Sequence, residues 1–375
     1  MVGIAFHTNQ LSERGAEIAL YDYCLYNQQL LGNRSVVFYP RHAIGNDTSV
    51  VSRFARSFEL VAYDHFAEVD DRILAMNLDL FYAIKGGNID GVISKAVPSM
   101  IHAVFAQSPF EIHGSAYAFV SEWLALKCSA GLVPAVPHVV HAPCEVLAGD
   151  LRHSLDIPPR AVVLGSYGGR GSFDLVFVRE QVIPKALEQR SDLHFLFMNY
   201  DPFIDHPRVH FLPKSTDPAG KQAFVAACDA MLHARRQGES FGLACAEFSA
   251  QHKTILTYGD SPDRNHLYVL GSSALVYRTP DQLLRMLLNF HPDAVGPGPV
   301  DGYLRYTPER VMDLFERHLI YPALQRGGLG VRLTLATLPL RSSFSPMFCH
   351  AFWHLQILRR RLGKLMRFVG LAERT

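Results

Sequence analysis

The sequence predicts an α/β protein of two tandem units, each built on a doubly wound parallel sheet. Three observations carry this. Apolar runs of about five to eight residues, rich in Val, Ile, Phe and Tyr, alternate with helix-length stretches, as buried parallel strands alternate with crossover helices. The rhythm breaks once, at APCEVLAGDLRHSLDIPPR (142–160) with its three prolines, and then restarts. A chain of 375 residues is also too long for one compact core and suits two domains of ordinary size.

The elements follow in order. VGIAF reads as a strand, then a loop through Gly15, then a helix over 16–31. SVVFY, FELVAY, LDLFYAI, PSMIHAVF, YAFVS and PHVVHA read as further strands, with helices over 64–76 and 122–130 between them. After the break come the strand AVVLGSY, a helix over 174–189, the strand LHFLFMN and the short strand RVHFL. Asp217 followed by Pro218 starts a helix, because proline fits the first helical position, and Thr279–Pro280 and Thr307–Pro308 open two more. DAMLHA, a helix after Ser240, KTILTY and ALVY complete the second series. The expected layout is an N-terminal unit over 1–145, a linker over 146–160, a C-terminal unit over 161–335 and a helical tail over 336–375.

Bulk properties exclude several classes. The formal charge of +1 gives no electrostatic reason to expect nucleic acid. None of the 18 histidines forms the H-E-x-x-H pair of a zinc helix, so no dedicated metal site is read from spacing; no cofactor is expected either. The six cysteines are widely spaced with no C-x-x-C, and several sit in apolar runs, which suits buried free thiols in a reducing compartment. MVGIAFHTNQ lacks the features of a signal peptide, and no apolar run reaches 18 residues, so a cytoplasmic place is expected.

Sheets of this kind bind ligands where strand carboxyl ends meet helix amino ends. One such place stands out. RRQGESFGLACAEFSA (235–250) holds Glu239 and Glu247 eight positions apart around small and apolar residues. With Ser240 as cap, a helix over 241–251 puts Phe241, Ala244, Cys245 and Phe248 on one apolar stripe. Glu247 then lies off that stripe, roughly 10 Å along the axis from the cap. The helix amino end between the two acids offers free N–H groups and partial positive charge, a seat for phosphate. Carboxylates accept hydrogen bonds from vicinal hydroxyls, so the set suits a ligand with phosphate in the middle and hydroxyls at both ends. A loop glutamate and a solvated helical glutamate are the plainer reading of the same spacing.

GESFGLACAE resembles the E-x7-E signature of retaining glycosyltransferases with the GT-B fold, the group that includes family 4. The strand DAMLHA before it and KTILTYGD after it keep the family's order. The resemblance implies two Rossmann-like domains facing a cleft, a nucleotide-sugar donor, and transfer to a glycan, lipid-linked or protein acceptor without a metal. By that likeness Glu247 binds the ribose hydroxyls and Glu239 contacts the donor sugar. The backbone of Ser240, Phe241, Gly242 and Leu243 meets phosphate and sugar. Relatives carry a cation straight after the first glycine of the loop LGSYGGRGSFD, where this chain has Ser166. Arg170 in that loop is expected to take over, with Lys214, Arg235 or Arg236 as alternatives. Gly15, with Arg14 beside it, matches the family's glycine turn near the donor. His102, ending a strand, is expected beside the reacting centre and His113 is the second choice, although strand-end histidines are often core residues. His138 and His141 read as linker residues.

HLQILRRRLGKLMRFVG (354–370) is a basic amphipathic helix that suits either peripheral contact with an anionic membrane or docking on the N-terminal unit. The rival functions are a non-catalytic nucleotide-sugar binder or scaffold and a nucleotide-sugar epimerase. Phosphorolysis is disfavoured, since it usually brings a pyridoxal lysine in a much longer chain.

Overall fold

The computed structural model describes residues 1–143, 148–215, 217–292 and 302–325. Contacts divide the described chain into two units: residues 1–11, 20–137 and 311–325 in the first, 12–19 and 138–310 in the second. The division therefore falls ahead of the expected 146–160 linker, and the chain past 310 packs with the first unit rather than the second. Phe315 supplies a physical reason, because its ring packs 5.3 Å from those of Tyr23 and Tyr82 and 6.3 Å from that of Phe6. The 336–375 tail lies outside the described residues.

In the first unit the strands are β1 (Gly3–His7), β2 (Arg34–Pro40), β3 (Glu59–Tyr63), β4 (Leu80–Lys85), β5 (Ser99–Ala103) and β6 (Ala116–Phe119). The helices are α1 (Gly15–Gln29), whose residues up to Ala19 group with the second unit, α2 (Thr48–Ser57), α3 (Val69–Ala75) and α4 (Glu122–Ser129). The strands form one sheet in the order β3-β2-β1-β4-β5-β6, every neighbour parallel. β1, β4 and β5 bury every residue, as a sheet covered on both faces requires.

The second unit holds α5 (Ala148–Ser154), β7 (Val162–Tyr167), α6 (Ile183–Gln189), β8 (Leu193–Met198), β9 (Val209–Leu212), α7 (Pro218–Ala227) and β10 (Ala230–His233). The two-residue strand β11 (Gly238–Glu239), α8 (Leu243–Ala250), β12 (Thr254–Tyr258), β13 (Asp263–Arg264), α9 (Asn265–Leu270), β14 (Ala274–Tyr277) and α10 (Pro280–Asn289) follow. α11 (Pro308–Phe315) begins in this unit and ends in the first. The main sheet runs β14-β12-β10-β7-β8-β9, all parallel, which repeats the first unit's order counted from β7. The chain winds outward through β8 and β9, then returns to add β10, β12 and β14 on the other side of β7. That reversal between β7 and β10 opens a crevice at the strands' carboxyl ends. Behind it, Leu164, Phe195 and Phe197 belong to one core cluster with Ile183 and Leu187 of α6 and Leu283 and Leu287 of α10.

Three helix starts match their proline signals. Asp217 accepts hydrogen bonds from the Ala219 and Gly220 N–H groups, Thr279 accepts one from Gln282, and Thr307 accepts one from Arg310. Two expectations need correction. PHVVHA forms no strand, and its Val140 N–H donates instead to the Tyr306 carbonyl. The helix expected from 174 reaches α6 through a π turn over Val178–Val182, where the Ile183 N–H bonds to the Val178 carbonyl. Pro184, next in line, has no N–H for an α ladder, so the wider turn falls where the ladder is already interrupted.

Candidate functional site

A pocket lies at the β7/β10 reversal in the second unit. β7 contributes Ser166 and Tyr167, the chain leaving β8 contributes Asn199 and Tyr200, and β10 ends in it with His233. Leu243 and Ala244 bring the amino end of α8 to it, with Glu247 one turn further on. The segment 12–19 adds Glu13 and Gly15, where a Cβ on Gly15 would sit 3.5 Å from the Leu243 side chain.

Glu239 is the most constrained group in the pocket. Its short strand β11 pairs in parallel with β13, Gly238 opposite Asp263 and Glu239 opposite Arg264. Gly238 adopts φ +74°, and a Cβ there would lie 2.0 Å from the Asp263 carbonyl oxygen, so only glycine allows this pairing. The Glu239 carboxylate receives Arg235 Nη1 at 3.0 Å on both oxygens and His233 Nε2 at 3.2 Å on Oε1. Its side chain is 17% exposed. Burial alone would raise its pKa, but the His233 hydrogen bond and the charge of Arg235 together hold it down at about 2. Glu239 is therefore an ionised acceptor that cannot serve as an acid at neutral pH.

Ser240 does not cap the following helix. α8 starts at Leu243, with Gly242 in the left-handed region at φ +92° as its N-cap, two residues later than expected. Packing explains the shift. Phe241 is buried, its ring 4.9 Å from that of His138 and 5.7 Å from Tyr303, and its carbonyl accepts from Asn265 and Tyr303. A carbonyl held this way belongs to the support of the loop. Ser240, Phe241 and Gly242 are not lining residues, whereas Leu243 is. Glu247 lines the same pocket as Glu239.

Of the cations expected at the pocket, Lys214 and Arg235 line it and Arg170 and Arg236 do not. Arg170 is not among the lining residues: it is exposed and forms a forked pair with Asp201, Nη2 to Oδ1 at 2.6 Å and Nε to Oδ2 at 3.2 Å. Lys214, Lys221 and Arg235 do line it. Lys214 Nζ lies 3.9 Å from Glu13, and Lys221 Nζ lies 5.8 Å from the centre of the Tyr167 ring. The Glu239 charge raises the pKa of Arg235 further above its ordinary value. Arg236, the other alternative, is exposed. Ser166, at the place after the loop's first glycine, has its Oγ 3.3 Å from the Tyr200 hydroxyl.

His102 is not brought to this pocket. It is fully buried in the first unit, with Nδ1 2.7 Å from the Tyr82 hydroxyl and Nε2 2.8 Å from the Val136 carbonyl oxygen. Burial lowers its pKa to about 4 against the opposing effect of backbone hydrogen bonds, so it is a neutral core histidine. His113 is likewise buried in the first unit, Nδ1 2.6 Å from the Glu111 carbonyl oxygen. The signal used for His102, a histidine at the end of a parallel strand, also marks His233 in DAMLHA, and His233 does line the pocket. Tyr167, Tyr200 and Lys221 carry no motif of their own. Sequence reasoning missed the two tyrosines, and the signal that points to them is their place at or just past the carboxyl ends of two strands of a doubly wound sheet.

Among the described residues no group of three or more His, Cys, Asp or Glu side chains is placed to hold a metal ion. Among them, too, no helix is long and apolar enough to cross a membrane.

No protein-family model matches the chain, and no curated protein matches its sequence. Solved structures do match. A glycosyltransferase from Rickettsia africae superposes with a TM-score of 0.60 at 10% identity, over 92% of this chain and 100% of that one. HepE of Anabaena, solved with UDP-glucose, matches with a TM-score of 0.60 at 14% identity, over 90% of this chain and 100% of that one. A Listeria monocytogenes structure described as a UDP-N-acetylglucosamine 2-epimerase matches at 0.54 and 12% identity, over 85% and 97%. At these identities the likeness is one of fold, an α/β fold of GT-B type with two parallel six-stranded sheets.

Proposed function

We propose that this chain is a retaining glycosyltransferase that moves a sugar, a hexose in our reading, from a nucleoside-diphosphate sugar to an acceptor hydroxyl. The observation that carries the reading is the joint presence of Glu239, Glu247 and the α8 amino end in one pocket at the sheet reversal. That set matches a donor with hydroxyls at both ends and a diphosphate between them. In this reading Glu247 accepts from the ribose hydroxyls and Glu239, held ionised, accepts from hydroxyls of the sugar. The free N–H groups at the start of α8, together with Lys214, Lys221 and Arg235, face the diphosphate. Departure breaks the bond between the anomeric carbon and the diphosphate oxygen, and the acceptor oxygen bonds to the same face of that carbon. The acceptor proton leaves with the diphosphate. The protein's part is to align the donor and to stabilise the leaving charge. The acceptor is a glycan, a lipid-linked sugar or a glycosylated protein. Contact of the 354–370 segment with an anionic membrane belongs to the same proposal.

Thermal shift with UDP-, GDP-, ADP- and CDP-sugars tests the reading, comparing wild type with Glu247→Ala. A shift for one nucleotide class that Glu247→Ala loses, followed by sugar transfer in an acceptor assay, is the expected result. Saturable binding without donor consumption would replace the transferase with a binder. Nucleotide release that needs no acceptor would favour epimerisation, the activity after which the similar Listeria protein is named. No shift with any donor would reject the pocket as a nucleotide-sugar site.

A further inference from the structure

Beneath Glu239 lies a hydrogen-bonded chain that the proposed donor contacts do not include. His233 Nδ1 is 2.8 Å from Thr257 Oγ1 on β12, and the same oxygen is 2.9 Å from His266 Nε2 on α9. Thr257 and His266 are fully buried and His233 is 4% exposed, with the two imidazole rings 4.8 Å apart. The far atom of the chain, His266 Nδ1, has no hydrogen-bond partner among the described residues.

Donor and acceptor counting gives this chain one direction. The Glu239 carboxylate is ionised and accepts only, so His233 Nε2 must donate to it. A neutral His233 then has a bare Nδ1, which accepts the Thr257 O–H. The threonine oxygen, having spent its proton, accepts from His266 Nε2–H. His266 Nδ1 is then a lone pair, the less costly group to leave unmet inside a protein. The opposite polarity requires a protonated His233, which adds a second cation beside Arg235. It also leaves an N–H on His266 Nδ1 buried without an acceptor. Both costs point the same way.

We propose that Thr257 and His266 are positioning residues: through this one-way chain they fix His233 as its Nε2–H tautomer and so hold the Glu239 carboxylate in place in the pocket. Burial drives the His266 pKa down to about 3, which agrees with a neutral ring at the end of the chain. The Tyr277 hydroxyl donates to the His233 carbonyl at 2.9 Å and steadies the backbone of the same residue. The catalytic consequence rests on the proposed transferase reading, whereas the tautomer does not.

The test has one arm for each. Ring-nitrogen shifts of protein labelled with 15N-histidine, with the two signals assigned by His233→Gln and His266→Gln, report the tautomers directly. Both histidines are expected as Nε2–H at neutral pH, with His233 becoming a mixture in Thr257→Val. An Nδ1–H tautomer at either position overturns the proposal. In the kinetic arm, Thr257→Val, isosteric but without the hydroxyl, should lower kcat about tenfold with little change in the donor KM. Thr257→Ser should restore most of the loss. Equal losses in both variants that follow their melting temperatures would reduce the chain to a folding contact and overturn it. Should no nucleotide sugar turn over, the transferase reading fails while the nitrogen shifts still decide for or against the chain.

Discussion

Arg235 and Glu239, one helical turn apart in numbering but set in a loop and a two-residue strand, form a pair in which Nη1 lies 3.0 Å from both carboxylate oxygens. With His233 as the third member, the pair keeps Glu239 ionised despite its burial. The folded-state pKa of about 2 lies below the ordinary 4.5. The unfolded chain therefore binds the proton more readily, and the contribution of this group to stability is full above pH 4.5. It is lost as pH falls from there towards 2. Urea midpoints of wild type and Glu239→Gln should differ most near pH 6 and converge as the solution is acidified through that window. A gap that stays constant would mean that Glu239 titrates normally.

The cations separate into two groups with different expected effects. Arg170 is exposed and already paired with Asp201, so Arg170→Ala should leave nucleotide-diphosphate affinity within about twofold. Lys214 lines the pocket, and Lys214→Ala should weaken it by about tenfold, as loss of a charge-assisted contact does. Titration calorimetry with the nucleoside diphosphate alone measures both. The reverse ranking would restore Arg170 to the site.

Gly238 is the hinge of the Glu239 strand. Gly238→Ala must relieve a 2.0 Å approach to the Asp263 carbonyl in a backbone region that alanine avoids. We expect a loss of about 2 kcal/mol or more in unfolding free energy. Turnover should fall with it, because β11 carries Glu239. A variant as stable as wild type would show that the β11–β13 pairing is dispensable.

His102 should matter to folding and not to turnover. Replacing it with leucine removes contacts to Tyr82 and Val136 and should cost about 2–4 kcal/mol, read from urea unfolding. The donor KM and kcat of the folded fraction should hold. Its folded pKa of about 4 lies below the ordinary 6.5, so the unfolded state takes up the proton first. The wild type should lose stability as pH falls from 6.5 towards 4, and His102→Leu should lose less over that range. A collapse of kcat in stable His102→Leu would return this residue to the reacting centre.

What the sequence determined by itself was local or periodic. Runs such as LDLFYAI must be buried on both sides, so they become strands of a covered parallel sheet, and both six-stranded sheets follow. Asp217–Pro218, Thr279–Pro280 and Thr307–Pro308 satisfy their helix starts within three residues and needed no distant partner. Glu239 and Glu247 were legible for the same reason, since one short segment fixes both.

Tertiary structure decided what depends on partners far along the chain. Arg170 meets Asp201 31 positions away, and His102 finds Val136 34 positions away, so neither could be placed from its own neighbourhood. The start of α8 moved because Phe241 answers to His138, Tyr303 and Asn265 rather than to the Ser240 cap. The Glu239–His233–Thr257–His266 chain joins three strands and a helix that only sheet pairing brings together. Periodicity reports which face of an element is buried. It carries no information about which buried polar atoms will meet, because that depends on strand order and register, which emerge only once the whole sheet has formed.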